Sequence, residues 1–163
     1  QDILSGGRTS RLYRSLVEDK KIVVAAGGFP GFPGNKYANL FLFFAFPTPG
    51  HTNEESEEAM LAEIERLKTE LVTEDEIERV KHRARARLIA QLDSNAGLAG
   101  QLAAYQVLTG DWRNRFHTLD AIDNVTREDI QRIAQTYFTE RNRTVGYLLT
   151  DRAEQPTGRE EGS

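Results

Sequence analysis

Leu4-Ser5-Gly6-Gly7-Arg8-Thr9-Ser10-Arg11-Leu12-Tyr13-Arg14-Ser15-Leu16-Val17-Glu18 is a basic, amphipathic stretch broken by a glycine pair, with the apolar run Ile22-Val23-Val24-Ala25-Ala26 close behind. Leu12, Leu16 and Val17 fall on one helical face, so residues from about Asp2 to Asp19 predict a helix interrupted near Gly6-Gly7. Each glycine inside a helix costs about 1 kcal/mol relative to alanine, so the pair needs a packing or backbone reason. The run Gly6-Gly7-Arg8-Thr9-Ser10 could cradle a phosphate at a helix N-terminus. It lacks the GxxxxGK[ST] spacing and follows no visible strand, so a packing role is the better reading.

Ile22 to Ala26 predicts a short strand, and Gly27-Gly28-Phe29-Pro30-Gly31-Phe32-Pro33-Gly34 a punctuated loop. Tyr37 to Phe46 is the strongest strand signal. Phe41, Phe43 and Ala45 alternate with Leu40, Leu42, Phe44 and Phe46, so both faces are apolar. One layer of helices cannot cover such a strand. Its second face must meet another layer, a partner domain or a chamber wall.

Helices then begin at Thr52-Asn53-Glu54-Glu55, Thr73-Glu74-Asp75-Glu76 and Thr126-Arg127-Glu128-Asp129, each a capping box in which side chains satisfy orphan backbone donors. Met60, Leu61, Ile64, Leu67 and Leu71 form the buried stripe of the first, and Ile77, Val80, Ala84 and Leu88 that of the second. Arg79, Arg83 and Arg87 repeat on another face of the second helix, which reads as a solvated, salt-bridged surface. Asn95 to Leu108 predicts a further helix, Ile130, Ile133, Ala134 and Tyr137 mark the last one, and Thr144 to Leu149 predicts a final strand. Residues 1–150 thus read as one α+β domain, an antiparallel sheet backed by helices on one face, with 151–163 as a polar tail.

Composition excludes several chemistries. The chain of 163 residues carries a net charge of −4, without the basic footprint of a nucleic-acid binder. It has no cysteine, hence no thiol catalysis or cysteine metal site, and no apolar run near the ~18 residues of a membrane span. His51, His82 and His117 lack the three-to-five-residue spacing of a local zinc site, and the paired carboxylates fall in first helical turns, where the helix dipole favours acids. No catalytic and no metal-ligating residue is assigned. With Gln1 at its start and no initiator Met, the chain reads as a piece of a longer polypeptide.

The glycine segment resembles L-G-G-G-x-S-S-R-L-[FY]-x-x-[LI]-R-E in the C-terminal half of the pitrilysin/insulinase-type zinc peptidases. Pro47-Thr48-Pro49-Gly50-His51-Thr52, Leu71 to Lys81, Thr109-Gly110-Asp111, Val125 to Ile130 and Asn142-Arg143-Thr144-Val145 match later pieces in order, so the resemblance runs from Leu4 to Leu149. It implies a mitochondrial-processing-peptidase-like half that encloses a chamber with a similar half. The structural motif carried over is Gly6, Gly7, Arg8, Ser10 and Arg11.

In that family the other half holds zinc through H-x-x-E-H, whose Glu serves as general base. This chain has no such motif, so the resemblance implies zinc in the parent protein's N-terminal half and an isolated chain that does not hydrolyse peptides. Many members contribute an Arg and, seven residues on, a Tyr that hold the substrate backbone. The matching positions here are Val17 and Val24, and no Arg-x6-Tyr occurs in the sequence. The implied partners are the zinc-bearing half, a paralogous subunit that supplies the Arg/Tyr pair, and a peptide substrate. The family half also opens with a strand-and-helix portion before the glycine segment. Without it a sheet edge is open, which invites self-association. The alternative is a non-catalytic binding or scaffold subunit of the same fold. The setting leans bacterial, in periplasm or cytoplasm.

Overall fold

A computed structural model describes residues 1–149; the tail expected at 151–163 lies outside the described residues. α1 (Asp2–Ser5) is a single turn ended at Gly6. Two residues of helix then lead into a π-helix (Tyr13–Asp19), in which Lys20 N–H reaches back to Ser15 O. The expected interrupted helix is therefore two short pieces, the second wound wider than α. Leu12 and Leu16 are fully buried beneath it.

β1 (Val23–Phe32) and β2 (Leu40–Pro47) pair antiparallel, with Gly28 opposite Phe43 and irregularities at Val23/Ala25 and Pro30/Phe32. The expected loop from Gly27 is thus largely strand. The reason is cross-strand: a Cβ on Gly27 would stand 2.8 Å from the Phe44 ring, so the missing side chain lets that ring lie on the strand. Only the segment beyond Phe32 is loop.

α2 (Asn53–Thr69), α3 (Glu74–Ala90), α4 (Asn95–Thr109), α5 (Asn114–Asp123) and α6 (Arg127–Tyr137) follow, and a short 3₁₀ turn (Glu140–Asn142) closes the helical part. Reciprocal capping boxes form at Thr73–Glu76 and Thr126–Asp129, whereas Thr52 receives only the Glu55 N–H. α2 backs β2 and packs against α6, and Phe138, just past α6, meets the Phe41 and Phe43 rings edge-on at 5.5 Å. The core gathers Leu4, Leu12, Leu16, Ile22, Val23, Met60, Ile64, Leu67, Val72 and Ile77. α4 buries none of its residues. α5 escaped the sequence reading because its apolar positions form no stripe and no side chain caps it.

The final strand expected at Thr144–Leu149 is absent: residues 143–149 carry no regular structure. Asn53 donates to Leu148 O and Tyr147 hydrogen-bonds Glu57, so the segment rests on α2 instead of a sheet. Val145, Tyr147 and Leu149 have strand-like alternation, but a strand without a neighbour cannot satisfy its backbone.

Candidate functional site

The glycine segment is anchored from several directions. Ser5 Oγ donates to Gly28 O at 2.5 Å, tying α1 to β1, and buried Ser10 donates to Gly7 O at 2.7 Å. Arg83 donates to Gly6 O at 2.8 Å and to Thr9 Oγ at 2.6 Å, and Arg87 pairs with Asp2. Two members of the expected solvated arginine face are therefore clamps on a segment some 80 residues earlier. Arg8 stacks 5.8 Å over the Tyr13 ring. The polar groups around Gly6 and Thr9 are engaged within the chain, which fits a packing element.

Arg11 makes a two-pronged pair with Glu76, Nε to Oε1 at 2.9 Å and Nη2 to Oε2 at 3.0 Å. Glu76 Oε2 also accepts the Thr73 N–H at 2.9 Å, so one carboxylate caps α3 and fixes the glycine segment. The Arg11 hydrogen bonds, more than the Thr73 N–H, hold the Glu76 carboxyl down at about 2 against the opposing pull of burial. Glu76, Arg83, Arg87 and Asp2 are the residues the sequence reading missed in this role; the only signal was the four-residue arginine spacing.

The glycine pair now has its reason. A Cβ on Gly6 would lie 2.4 Å from Asp2 O, while Gly7 adopts φ +86° with open space around it. Gly6→Ala must push α1 apart and is expected to cost about 2–3 kcal/mol. Gly7→Ala meets only backbone strain, about 1–2 kcal/mol. Thermal melts of both variants check the order; an equal or larger loss at Gly7 would refute it.

The two positions that match the family's Arg and Tyr are not equivalent. Val17 packs against the core from the π-helix, whereas Val24 is 61 % exposed at the β1 irregularity between Val23 and Ala25. Beside Val24 lies an apolar sheet face. The register puts Ala25, Gly27, Phe29 and Phe32 of β1 on the same side as Phe46, Phe44, Leu42 and Leu40 of β2. Neither strand contains an ionisable residue. Phe29, Phe32, Leu40, Phe44 and Phe46 remain 36–60 % exposed. With ~200 Å² for an aromatic side chain, the face offers on the order of 400–500 Å² of apolar surface. That is the upper range for a monomer's largest patch and marks an interaction face.

Zinc does not fit the described residues. Among them no three His, Asp or Glu side chains stand close enough to hold a metal ion. His51 is engaged with Glu55 at 2.8 Å, and His82 and His117 are exposed on α3 and α5. No described helix is long and apolar enough to cross a membrane.

The family model described as the peptidase M16 inactive domain matches residues 1–84. The zinc protease PqqE of Helicobacter pylori is 27 % identical over 151 residues, covering 90 % of this chain. The chain spans about a third of that relative, 32 % of its length. A candidate zinc protease from Bordetella pertussis Tohama I is similar in structure with a TM-score of 0.79 at 27 % identity, over 91 % of this chain and 80 % of the other. The inactive peptidase domain of a candidate zinc protease from Bordetella parapertussis also gives a TM-score of 0.79, at 26 % identity over 92 % of this chain and 80 % of the other.

Proposed function

The chain belongs to the M16 peptidase family as its inactive C-terminal domain, and from that premise we propose that it is the wall of a peptide-degrading chamber. The reading pairs it with a zinc-bearing half that performs the hydrolysis. A paralogous subunit would hold the substrate backbone with an Arg/Tyr pair. The observation that carries it is the uncharged sheet face of Leu40, Leu42, Phe44 and Phe46 with Phe29 and Phe32, exposed on the side away from Phe138 and the core. An apolar wall excludes water and strengthens every polar interaction inside the chamber it closes. This chain's residues contribute shape and desolvation, and no proton transfer or metal ligation is assigned to them.

A non-catalytic scaffold subunit is the second reading, favoured by Val17, which packs as core where a substrate-holding side chain would need to be free. Val24, exposed on the sheet, favours the first.

The test is reconstitution with the zinc-bearing half, following cleavage of a fluorogenic peptide. Phe44→Asp with Phe46→Asp should lower the rate at least tenfold with zinc content unchanged, since two carboxylates would wet and charge the wall. A zinc-bearing half equally active without this chain would sink the proposal in favour of the scaffold.

A further inference from the structure

The largest fully buried side chain among the described residues is a cation. Arg115 of α5 is 1 % exposed, while α5 buries no other residue and α4 buries none at all. α5 lies against both α3 and α4, and Arg115 reaches both. Its Nη2 donates to Leu88 O at 3.2 Å, in the last turn of α3. That carbonyl lacks a backbone donor, because the N–H groups of Gln91, Leu92 and Asp93 go to Arg87 O, Ile89 O and Ala90 O. The guanidinium also lies 5.8 Å from the centre of the Tyr105 ring on α4, and the Tyr105 hydroxyl is hydrogen-bonded to Thr118 of α5 at 2.9 Å. Among the described residues no carboxylate pairs with Arg115, and its buried Nε has no partner.

A buried cation without a counter-ion is costly, and two weaker sources of negative potential stand in for a carboxylate here. One is the carbonyl end of α3, where the helix dipole favours positive charge. The other is the face of the Tyr105 ring. Both act on the guanidinium only while α3, α4 and α5 keep their places, so one charge ties three helices at a point where α2 relies on an apolar stripe. We propose that Arg115 is a conformational latch, which holds α4 and α5 on the end of α3 and whose loss frees those two helices while the core stays folded. The inference is independent of the chamber reading. The far end of α5 is attached differently: Asp123 accepts from Arg85 Nε at 2.8 Å, and Lys81 donates to the Asp123 carbonyl at 3.0 Å, both at exposed positions.

Hydrogen exchange of the whole chain, read helix by helix, tests the latch. Arg115→Met keeps an unbranched side chain but removes the charge and the donors. Amides of α4 and α5 should then exchange roughly tenfold faster, with α2 within about twofold of wild type. Trp112, the only tryptophan, has its ring 6.1 Å from that of Phe116 on α5, and its emission should shift to the red in the same variant. Tyr105→Leu takes away the ring but leaves the cation, and should loosen the same two helices. About 1 M sodium chloride screens the exposed Asp123 contacts but not a buried charge, so protection at the start of α5 should survive it. Arg115→Met that exchanges like wild type would reduce the side chain to filler and overturn the proposal. So would protection lost equally from α2 in either variant, or protection at the start of α5 lost in salt.

Discussion

Leu16→Ala is expected to lower folding stability by about 3 kcal/mol. Leu16 is completely buried and lies where the π-helix is clamped between β1 and α2. Its carbonyl accepts the Ile22 N–H at 3.1 Å, so the backbone that carries it is also the approach to β1. Truncation removes three carbons from a core cluster that also holds Leu12, Ile22, Val23 and the α2 residues Met60, Ile64 and Leu67. The cost is therefore transfer and cavity together, within the usual range of about 2–5 kcal/mol. In a domain of this size the melting temperature should fall by roughly 8 °C. Ile89→Ala on α3, at a residue 64 % exposed, serves as the control and should stay within about 0.5 kcal/mol of wild type. Urea titrations of both check this. A loss at Leu16 below about 1 kcal/mol would mean that the segment is not part of the core.

What could be read in advance divides by the range of the interactions. The α3 and α6 starts were legible because a capping box is complete within four residues, and Thr73–Glu76 and Thr126–Asp129 form it. The α+β class followed from periodicity alone. The extent of β1 was not legible, since Gly27 is strand only because the Phe44 ring lies against it. Nor was the π winding, which depends on how Tyr13–Asp19 settles on the core. The strand expected at Thr144–Leu149 had the right alternation, but strand identity is decided by a neighbour that local sequence cannot supply. At the candidate site the apolar excess of Tyr37–Phe46 announced an uncovered face, and the structure leaves that face open. The arginine stripe misled because Arg83 and Arg87 find Gly6, Thr9 and Asp2 across the fold.

Glu76→Gln should cost about 2 kcal/mol and should change how stability depends on acid. The carboxylate joins Arg11 of the glycine segment to the first turn of α3, and the Arg11 side chain is only 11 % exposed. Removing its charge leaves a poorly hydrated guanidinium whose Nη1 already lacks a partner. Such a stranded charge is worse than no pair at all. Arg11→Met with Glu76→Gln should therefore lose less than the sum of the single changes, with a coupling of about 1–2 kcal/mol. Strict additivity would show that the pair is incidental to the fold. The pH dependence gives a second, independent sign. Glu76 titrates near 4.5 when unfolded and at about 2 when folded, so the unfolded chain binds the proton first as pH falls. Its contribution is complete above about pH 4.5 and is lost between there and about pH 2. Because Glu76 keeps some contact with solvent, screening should leave about 1–2 kcal/mol of it. Asp129, held down at about 2 chiefly by Arg132, titrates in the same window and steepens the acid limb of both proteins alike. The difference between wild type and Glu76→Gln should thus shrink as pH drops through that window and vanish at its foot. A difference constant with pH would place the loss in the cap of α3 and not in the charge on Arg11.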